Sequence, residues 1–580
     1  MSIFDKIADS FASAWGYYRI MRIQINMKKP FGNRLVLSMR ITVVSLISLM
    51  AVGWGSAREV ISANGGALAV SPGPDGHLKY APDAFGNTIP DFSLAGYCHG
   101  GVVLPVAPVV ETLNPVADSK DDSIRIQAAL DRVAQAPERV ADGVRGALLL
   151  TRGTYRCGTP LRVSGGVTLR GEGQEAKGTI IIATMHAEKA GGGPTLISMS
   201  GSAKLQVDKV PHAILDEVVP LGARKIKVAD VGAFRDGDLI TIERKAAQAW
   251  IHDLKMDQIV LKTGGQQWSP SGYTRSWQSR VVSVIGDTLT LDTPVMCALE
   301  RRYGGGSVYK CINDPRARGA AVERLRLESV YQAGNETKDE DHAWTAISMS
   351  GLVDSWVRDV TALHFAYACV NVNRSCSRVT VQDCAMIDPV SEITGGRRYS
   401  FSAGGQYVLF QRCYTRNGRH DFVNGPNDIG PSVYLDCLSE KTHADIGPHH
   451  RWACGQLYDN VKGGQINIQD RGGMGSGHGW AGNCQVLWNC EGTSIVCQKP
   501  EIPSAQNWSI GCVGNKGKPA LPNRLDGCWQ SFGQHVEPRS LYLRQLQDRL
   551  GRDAVRAVAK PEQLNGAIFE QLRRRYGREQ

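Results

Sequence analysis

Between residues 379 and 512 the chain repeats one pattern: a short stretch with alternating apolar residues, closed by a cysteine and followed by a turn. Val379 leads to Cys384, Val408 to Cys413, Val433 to Cys437, Val486 to Cys490 and Trp508 to Cys512. The cysteines are 29, 24, 53 and 22 residues apart, and the long gap divides into 23 and 30 if Asn460 takes a cysteine's place. Alternation with period 2 marks strands. A unit of this length, recurring without helical periodicity, predicts a solenoid whose coils stack on one another. The expected fold class is all-β, a parallel β-helix that displays ladders of equivalent side chains along an open groove.

The same spacing bears on the cysteines. Neighbouring rungs lie about 4.8 Å apart, and an inward column of cysteines packs as small, soft, apolar side chains. Reduced thiols are expected for this column, while bridges stay open among Cys98, Cys157, Cys297, Cys311 and Cys528. None of the fifteen cysteines forms a Cys-x-x-Cys pair, so a zinc site of that type has no support.

Upstream, Ile124, Gln127, Ala128 and Val133 suit a short amphipathic helix with Asp122 or Ser123 as N-cap. Short strands follow at 146–150, 153–155, 161–163 and 167–169. This helix, the Gly153-Thr-Tyr155 strand and the coil Gly166-Val-Thr-Leu-Arg-Gly-Glu-Gly173 resemble the opening of the pectate-lyase superfamily. The resemblance covers roughly residues 120–200 and 320–515. It implies a right-handed parallel β-helix of the polysaccharide lyase or hydrolase type, a fold that hosts several chemistries. The calcium-binding and arginine consensus of the best-known pectate lyases is absent, so no catalytic residue carries over.

Residues 205–312 interrupt the repeat with alternating strands and hairpin turns, predicting an inserted small β-barrel or sandwich. Its loop carries Trp250, Trp268 and Trp277, expected either to bind sugar rings over the groove or to plug the insert's own core. Around the insert the organisation reads as a cap segment at 58–120, a first β-helix portion at 121–204, the main β-helix at 313–535 and a helical tail at 536–580. Ser540 is a plausible N-cap there, with leucines following at helical spacing.

At the N-terminus, basic residues from Met27 to Arg34, an apolar run from Ile41 to Trp54 and the small residues Gly55-Ser-Ala57 follow the order of a secretory signal. Residues 1–57 are therefore read as an extension plus signal peptide, and the mature protein as secreted or periplasmic, monomeric and free of the membrane. The net charge of +10 is spread along the chain. It suits a polyanionic partner, and no nucleic-acid-binding module accompanies it.

Aligning Arg398–Phe401, Arg419–Phe422, His443–Ile446 and Gln465–Ile468 under Cys369–Val372 sends Tyr399, His420 and Ala444 inward with Phe401, Phe422 and Ile446. The exposed side then carries Arg398, Arg419 and His443 on one ladder and Asp421 and Asp445 on another. A one-residue slip would reverse the faces. Stacked Asp421 and Asp445 repel unless a cation, such as Ca2+, or an arginine sits between them. The following loop adds His449, His450 and Arg451, a set better suited to substrate binding and proton transfer than to a metal.

Such a groove suits cleavage of an acidic, uronic-acid-containing polysaccharide. In β-elimination, Arg398, Arg419 or Arg451 would hold the carboxylate and His443 would move a proton beside Asp421 and Asp445. The alternatives are a glycoside hydrolase using Asp421 and Asp445, whose carboxyls would stand about 5–5.5 Å apart for retention, and a non-catalytic glycan-binding β-helix.

Overall fold

The computed structural model describes residues 68–140, 143–188 and 191–577. The proposed signal at 27–57 lies outside them. Among the described residues no helix is long and apolar enough to cross a membrane.

The solenoid is a parallel β-helix. One of its faces is a sheet of seven strands, Leu161–Val163, Thr195–Ser200, Thr345–Ser350, Ala368–Val372, Phe401–Ala403, Phe422–Asn424 and Gly447–Pro448, each paired in parallel with the next. The remaining coil strands form a continuous sheet, parallel except where Leu525–Asp526 closes it. Val-, Ile- and Phe-rich alternation fills the lumen, where Ile197, Ile347, Val370, Phe401, Phe422 and Ile446 stack in one core.

The cysteine column exists, with one substitution. Pairing of Ala385 with Tyr414, Tyr414 with Leu438, Leu438 with Lys462, Lys462 with Glu491 and Glu491 with Val513 aligns the residues just before them. These are Cys384, Cys413, Cys437, Val461, Cys490 and Cys512, all buried in the same core. The apolar residue of the skipped coil is thus Val461, not Asn460. One position earlier stand Asp383, Arg412, Asp436, Asn460, Asn489 and Gly511, with φ between 51° and 67°. Each coil turns its corner through a left-handed residue, a conformation that Asn, Asp and Gly adopt most readily, and Asn460 belongs to that column. All fifteen cysteines are free thiols, and burial pushes those of Cys384, Cys413 and Cys490 well above the ordinary range.

The tail helices lock onto this corner. Asp383 binds Arg412 at 2.9 Å and Lys560 at 2.6 Å, and Ser540 caps the helix Leu541–Leu550 by accepting a bond from the Leu543 amide. At the other end the helix Ser123–Ala134 covers the first coils. It buries Ile126, Ala129, Leu130 and Val133, while Ile124 is 83% exposed, so its apolar stripe is rotated from the expected one.

Between the two portions lies an antiparallel sheet in which Leu239–Arg244 pairs with Arg275–Ile285 on one side and Gly306–Asn313 on the other. Trp250, Trp268 and Trp277 are buried in a core shared by this sheet and solenoid residues Trp452, Trp480 and Trp488. Trp268 stacks on Tyr273 at 4.3 Å, and Trp250 meets Trp452 edge-on at 5.1 Å. The expectation that these tryptophans form a sugar platform is therefore corrected: they weld the insert to the solenoid, and no ring face is left for a ligand.

Candidate functional site

The seven-stranded face ends in short strands, and residues just before them lie in turns, where strand alternation does not apply. Arg398 has φ 57°, and the strands begin only at Phe401 and Phe422. The faces of Asp421 and His420 are consequently exchanged from the sequence reading. Asp421 is 0% exposed and accepts hydrogen bonds from Ser400 Oγ (2.6 Å), Thr415 Oγ1 (2.9 Å) and Ser439 Oγ (2.6 Å). Thr415 occupies the same column as the core residue Met386, so this carboxylate points into the lumen and serves the fold. His420 turns the other way.

The alignment also slipped by two residues at both ends. Val370 pairs with Phe401 and Ile446 with Ile466; an even shift keeps the faces and changes the rungs.

On the outer side His420 meets Asp445. Its Nδ1 lies 2.8 Å from the Asp445 main-chain oxygen and 3.2 Å from the carboxylate. Both are acceptors, so Nδ1 carries a proton and a neutral ring has its lone pair on Nε2. That Nε2 is buried and has no hydrogen-bond partner among the described residues. Arg471 Nη1 donates to Asp445 at 2.6 Å. Burial alone would raise the Asp445 carboxyl, but the bonds from His420 and Arg471 outweigh it and hold the group well below the usual carboxylate range.

Four histidines and a tyrosine pack here. The His420 ring is 5.0 Å from Tyr399 and 4.4 Å from His449, and His449 lies 4.9 Å from both His450 and His478. The Tyr399 hydroxyl is 3.0 Å from His449 Nε2. Burial raises the Tyr399 phenol, against the pull of Arg419, so it stays protonated. Burial first, and then neighbouring positive charge including that of Arg471, pushes His449 far down. Burial and neighbouring cations bring His450 to about 3 and His478 to about 4. The Nδ1 atoms of His449, His450 and His478 and the Nε atoms of Arg451 and Arg471 are also buried without partners among the described residues. Buried polar groups are normally satisfied, so these atoms are the hydrogen-bonding groups that the cluster has to offer.

Of the remaining expected site residues, Arg419 and Arg451 are half-buried and border the cluster; Arg451 Nη2 reaches Ser476 Oγ at 2.7 Å. Arg398 is buried, donating to the main-chain oxygens of Ser391, Glu336 and Asn417, so it braces a loop and cannot grip a substrate. His443 is exposed and lines a separate open dent of about 370 Å³ with Lys441, Gln465 and Thr493. Asp421 lies behind Ser439 on its floor. Asp421 and Asp445 keep separate partners on opposite sides of the wall, which removes the expected shared Ca2+ or retaining pair. Among the described residues no group of three His, Cys, Asp or Glu side chains is arranged to hold a metal ion.

Sequence reading missed Tyr399, Arg471 and His478, and placed His420 in the core. Arg471 and His478 sit on the loop Arg471-Gly-Gly-Met-Gly-Ser-Gly-His-Gly-Trp480, whose shape comes from the insert. Trp268 Nε1 donates to Gly477 O (3.3 Å), and the Gln266 amide to Ser476 O (3.2 Å). Gly479 has φ 58°, and a Cβ there would stand 2.4 Å from Met256 Sδ and 2.7 Å from the Trp268 ring.

No family model matches the chain, and no curated protein matches it. It is similar to the solved tailspike protein gp49 of Pseudomonas phage LKA1 (13% identity over 68% of this chain and 70% of that one, TM-score 0.33). It is also similar to the Gp54 tailspike of Acinetobacter baumannii bacteriophage AP22, solved with a capsular saccharide (11%, 70% and 63%, 0.35), and to DFA-IIIase from Arthrobacter chlorophenolicus A6 (8%, 70% and 68%, 0.33). Such values are too low to say anything of the site. What the structure itself shows of the pectate-lyase resemblance is the parallel β-helix.

Proposed function

We propose that the protein is a carbohydrate-active enzyme that cleaves a uronic-acid-containing polysaccharide by β-elimination at the His420 cluster. The observation that carries this reading is the state of His420. Its Nδ1 proton is fixed by Asp445, and its Nε2 is unpaired, beside a protonated phenol and within a set of arginines. Elimination needs a base for the C5 proton, an acid for the leaving O4 and a cation for the carboxylate. His420 Nε2 takes the proton, Tyr399 donates its hydroxyl proton to O4 as the C4–O4 bond breaks, and Arg419 and Arg451 hold the carboxylate. Transfer of the proton from His420 to the Tyr399 phenolate resets the site. With neutral His449, His450 and His478, the three arginines exceed the one carboxylate of Asp445, a balance that favours an anionic sugar.

Hydrolysis has less support. It calls for two carboxyls, whereas Asp445 is tied to Arg471 and Asp421 faces the lumen. Export, expected from residues 27–57, would bring the enzyme to such a polymer.

The test is incubation with a panel of uronic-acid polymers, following both the ultraviolet absorbance of a C4–C5 double bond conjugated to the carboxylate and the new reducing ends. Both signals rising together are expected. Reducing ends without the absorbance would mean hydrolysis, and binding without either would mean a glycan-binding protein.

A further inference from the structure

Four consecutive residues of the cap segment, Cys98 to Gly101, hold a left-handed backbone, with φ of 47°, 63°, 75° and 78°. Glycine takes this conformation freely, whereas Cys and His seldom do, so the surroundings must enforce it. The Cys98 amide donates to Asp354 Oδ1 at 3.3 Å, and the His99 amide to Gly96 O at 3.1 Å. The Gly96 amide donates to Tyr407 O at 2.9 Å, and Arg549 Nη2 to His99 O at 2.6 Å. This turn sets the His99 ring edge-on to Tyr407, with 4.8 Å between the ring centres. Its Nδ1 is buried and has no hydrogen-bond partner among the described residues. Burial first, and then the charge of Arg378, lowers the imidazole, so the ring is neutral at pH 7.

We infer that His99 belongs to a second ligand site, a pocket for a hydroxylated carboxylate of the uronate type, set where cap segment, insert and solenoid meet. The pocket measures about 370 Å³, within the range of small-ligand sites, and shares no residue with the His420 cluster. The solenoid supplies Asp354 and Arg378, which face each other on neighbouring rungs because Val353 pairs with Ser377 and Ser355 with Val379. Arg378 grips Asp354 through Nε at 2.7 Å and Nη2 at 2.8 Å. Arg318 reaches the same carboxylate at 3.2 Å and Asp314 at 3.7 Å. The insert supplies Arg280, the cross-strand partner of Leu239. Arg280 is exposed; its guanidinium donates to Gly237 O and makes no ion pair among the described residues.

Three guanidiniums thus line the pocket against two carboxylates, and Asp314 is also taken by Arg316 at 2.7 Å. The next carboxylate, Asp292, is held by Ser279 Oγ, Thr293 Oγ1 and the Arg280 amide. The positive surplus sits on Arg280, whose fork matches a planar carboxylate. Sugar hydroxyls match what remains. The neutral His99 Nδ1 pairs with one, and Asp314, which Arg318 approaches only to 3.7 Å, accepts from another. An inorganic anion would use the arginine alone and leave His99 unpaired. The choice of a uronate rests on the substrate reading proposed above.

The test is calorimetry of sodium glucuronate on the full chain carrying Arg419→Ala, which removes a carboxylate-holding arginine of the His420 cluster, after circular dichroism shows it folded. Saturable binding at one site is expected, absent with glucose and weaker with inorganic phosphate. Adding Arg280→Ala should weaken it about ten- to hundredfold, the loss of one charge-assisted contact. Adding His99→Asn, since Asn tolerates the left-handed turn, should weaken glucuronate and leave phosphate unchanged. No glucuronate binding, binding indifferent to Arg280→Ala, or phosphate held as tightly as glucuronate overturns the inference. Arg280 is exposed, so its replacement decides the matter even if His99→Asn fails to fold. The heats are read without cleavage. A protein inactive on every polymer leaves a positive result standing, and a negative one leaves the His420 cluster to its own assay.

Discussion

Binding of a uronate should draw protons into the histidine cluster, and the size of the effect follows from its geometry. His450 and His478 stand at about 3 and about 4 in the free protein, so both are neutral at pH 5 and above. A carboxylate about 4 Å away, at an effective dielectric of about 20, favours an imidazolium by about 4 kcal/mol, equivalent to about three pH units. Both rings are only partly buried, and screening reduces this to about one to two units. The sign is then fixed. The bound-state values exceed the free ones, so protons are taken up on binding, and affinity rises as pH falls through the bound-state values, about 4–5 for His450 and about 5–6 for His478. The assay is calorimetry of a uronic-acid oligosaccharide on the His420→Ala variant, which binds without turnover, in two buffers of different ionisation enthalpy. At pH 5 the heats should differ by an uptake approaching about one proton, and at pH 8 they should coincide. Equal heats at pH 5, or proton release, would refute the placement of the carboxylate among these rings.

Two further outcomes follow. Asp428 is buried with its Oδ2 unpaired among the described residues, and burial pushes it to about 7 although Arg374 lies 4.0 Å away. Against an unfolded value of about 3.9, the native state loses up to about 4 kcal/mol as pH rises from about 4 to about 7. Asp428→Asn should remove that decline, matching wild type near pH 4 and exceeding it at pH 8 in urea denaturation; parallel curves would contradict it. Trp268→Ala should cost about 3–5 kcal/mol and lower turnover as well, because Trp268 shapes the loop carrying Arg471 and His478. Full stability in chemical denaturation with weakened binding alone would restore the sugar-platform reading.

Period-2 alternation and the cysteine spacing made the solenoid legible, because a stacked coil repeats its inward positions and cysteine is conspicuous among them. The same regularity misled at the corners. Asn460 looked like a cysteine substitute because spacing alone does not distinguish a left-handed corner residue from the core residue after it. Asp421 and His420 were assigned to the wrong faces because alternation was carried two residues past the strand, through turns where φ is positive at Arg398. Arg471 and His478 reach the site only through the packing of 256–268 against 472–480, a contact more than two hundred residues long in sequence that no local pattern encodes. The tryptophans carried the wrong inference for a related reason: burial between two bodies is invisible until both are placed.

The most direct measurement compares His420→Ala with His443→Ala on the polymer that gives the greatest unsaturated-product signal with wild type, after circular dichroism shows both variants folded. Loss of the base should lower the rate of double-bond formation by about 10²–10⁴-fold in His420→Ala, with His443→Ala close to wild type. The reverse pattern, with His443→Ala inactive and His420→Ala unimpaired, would move the chemistry to the dent beside Lys441 and Gln465 and contradict the assignment of the histidine cluster.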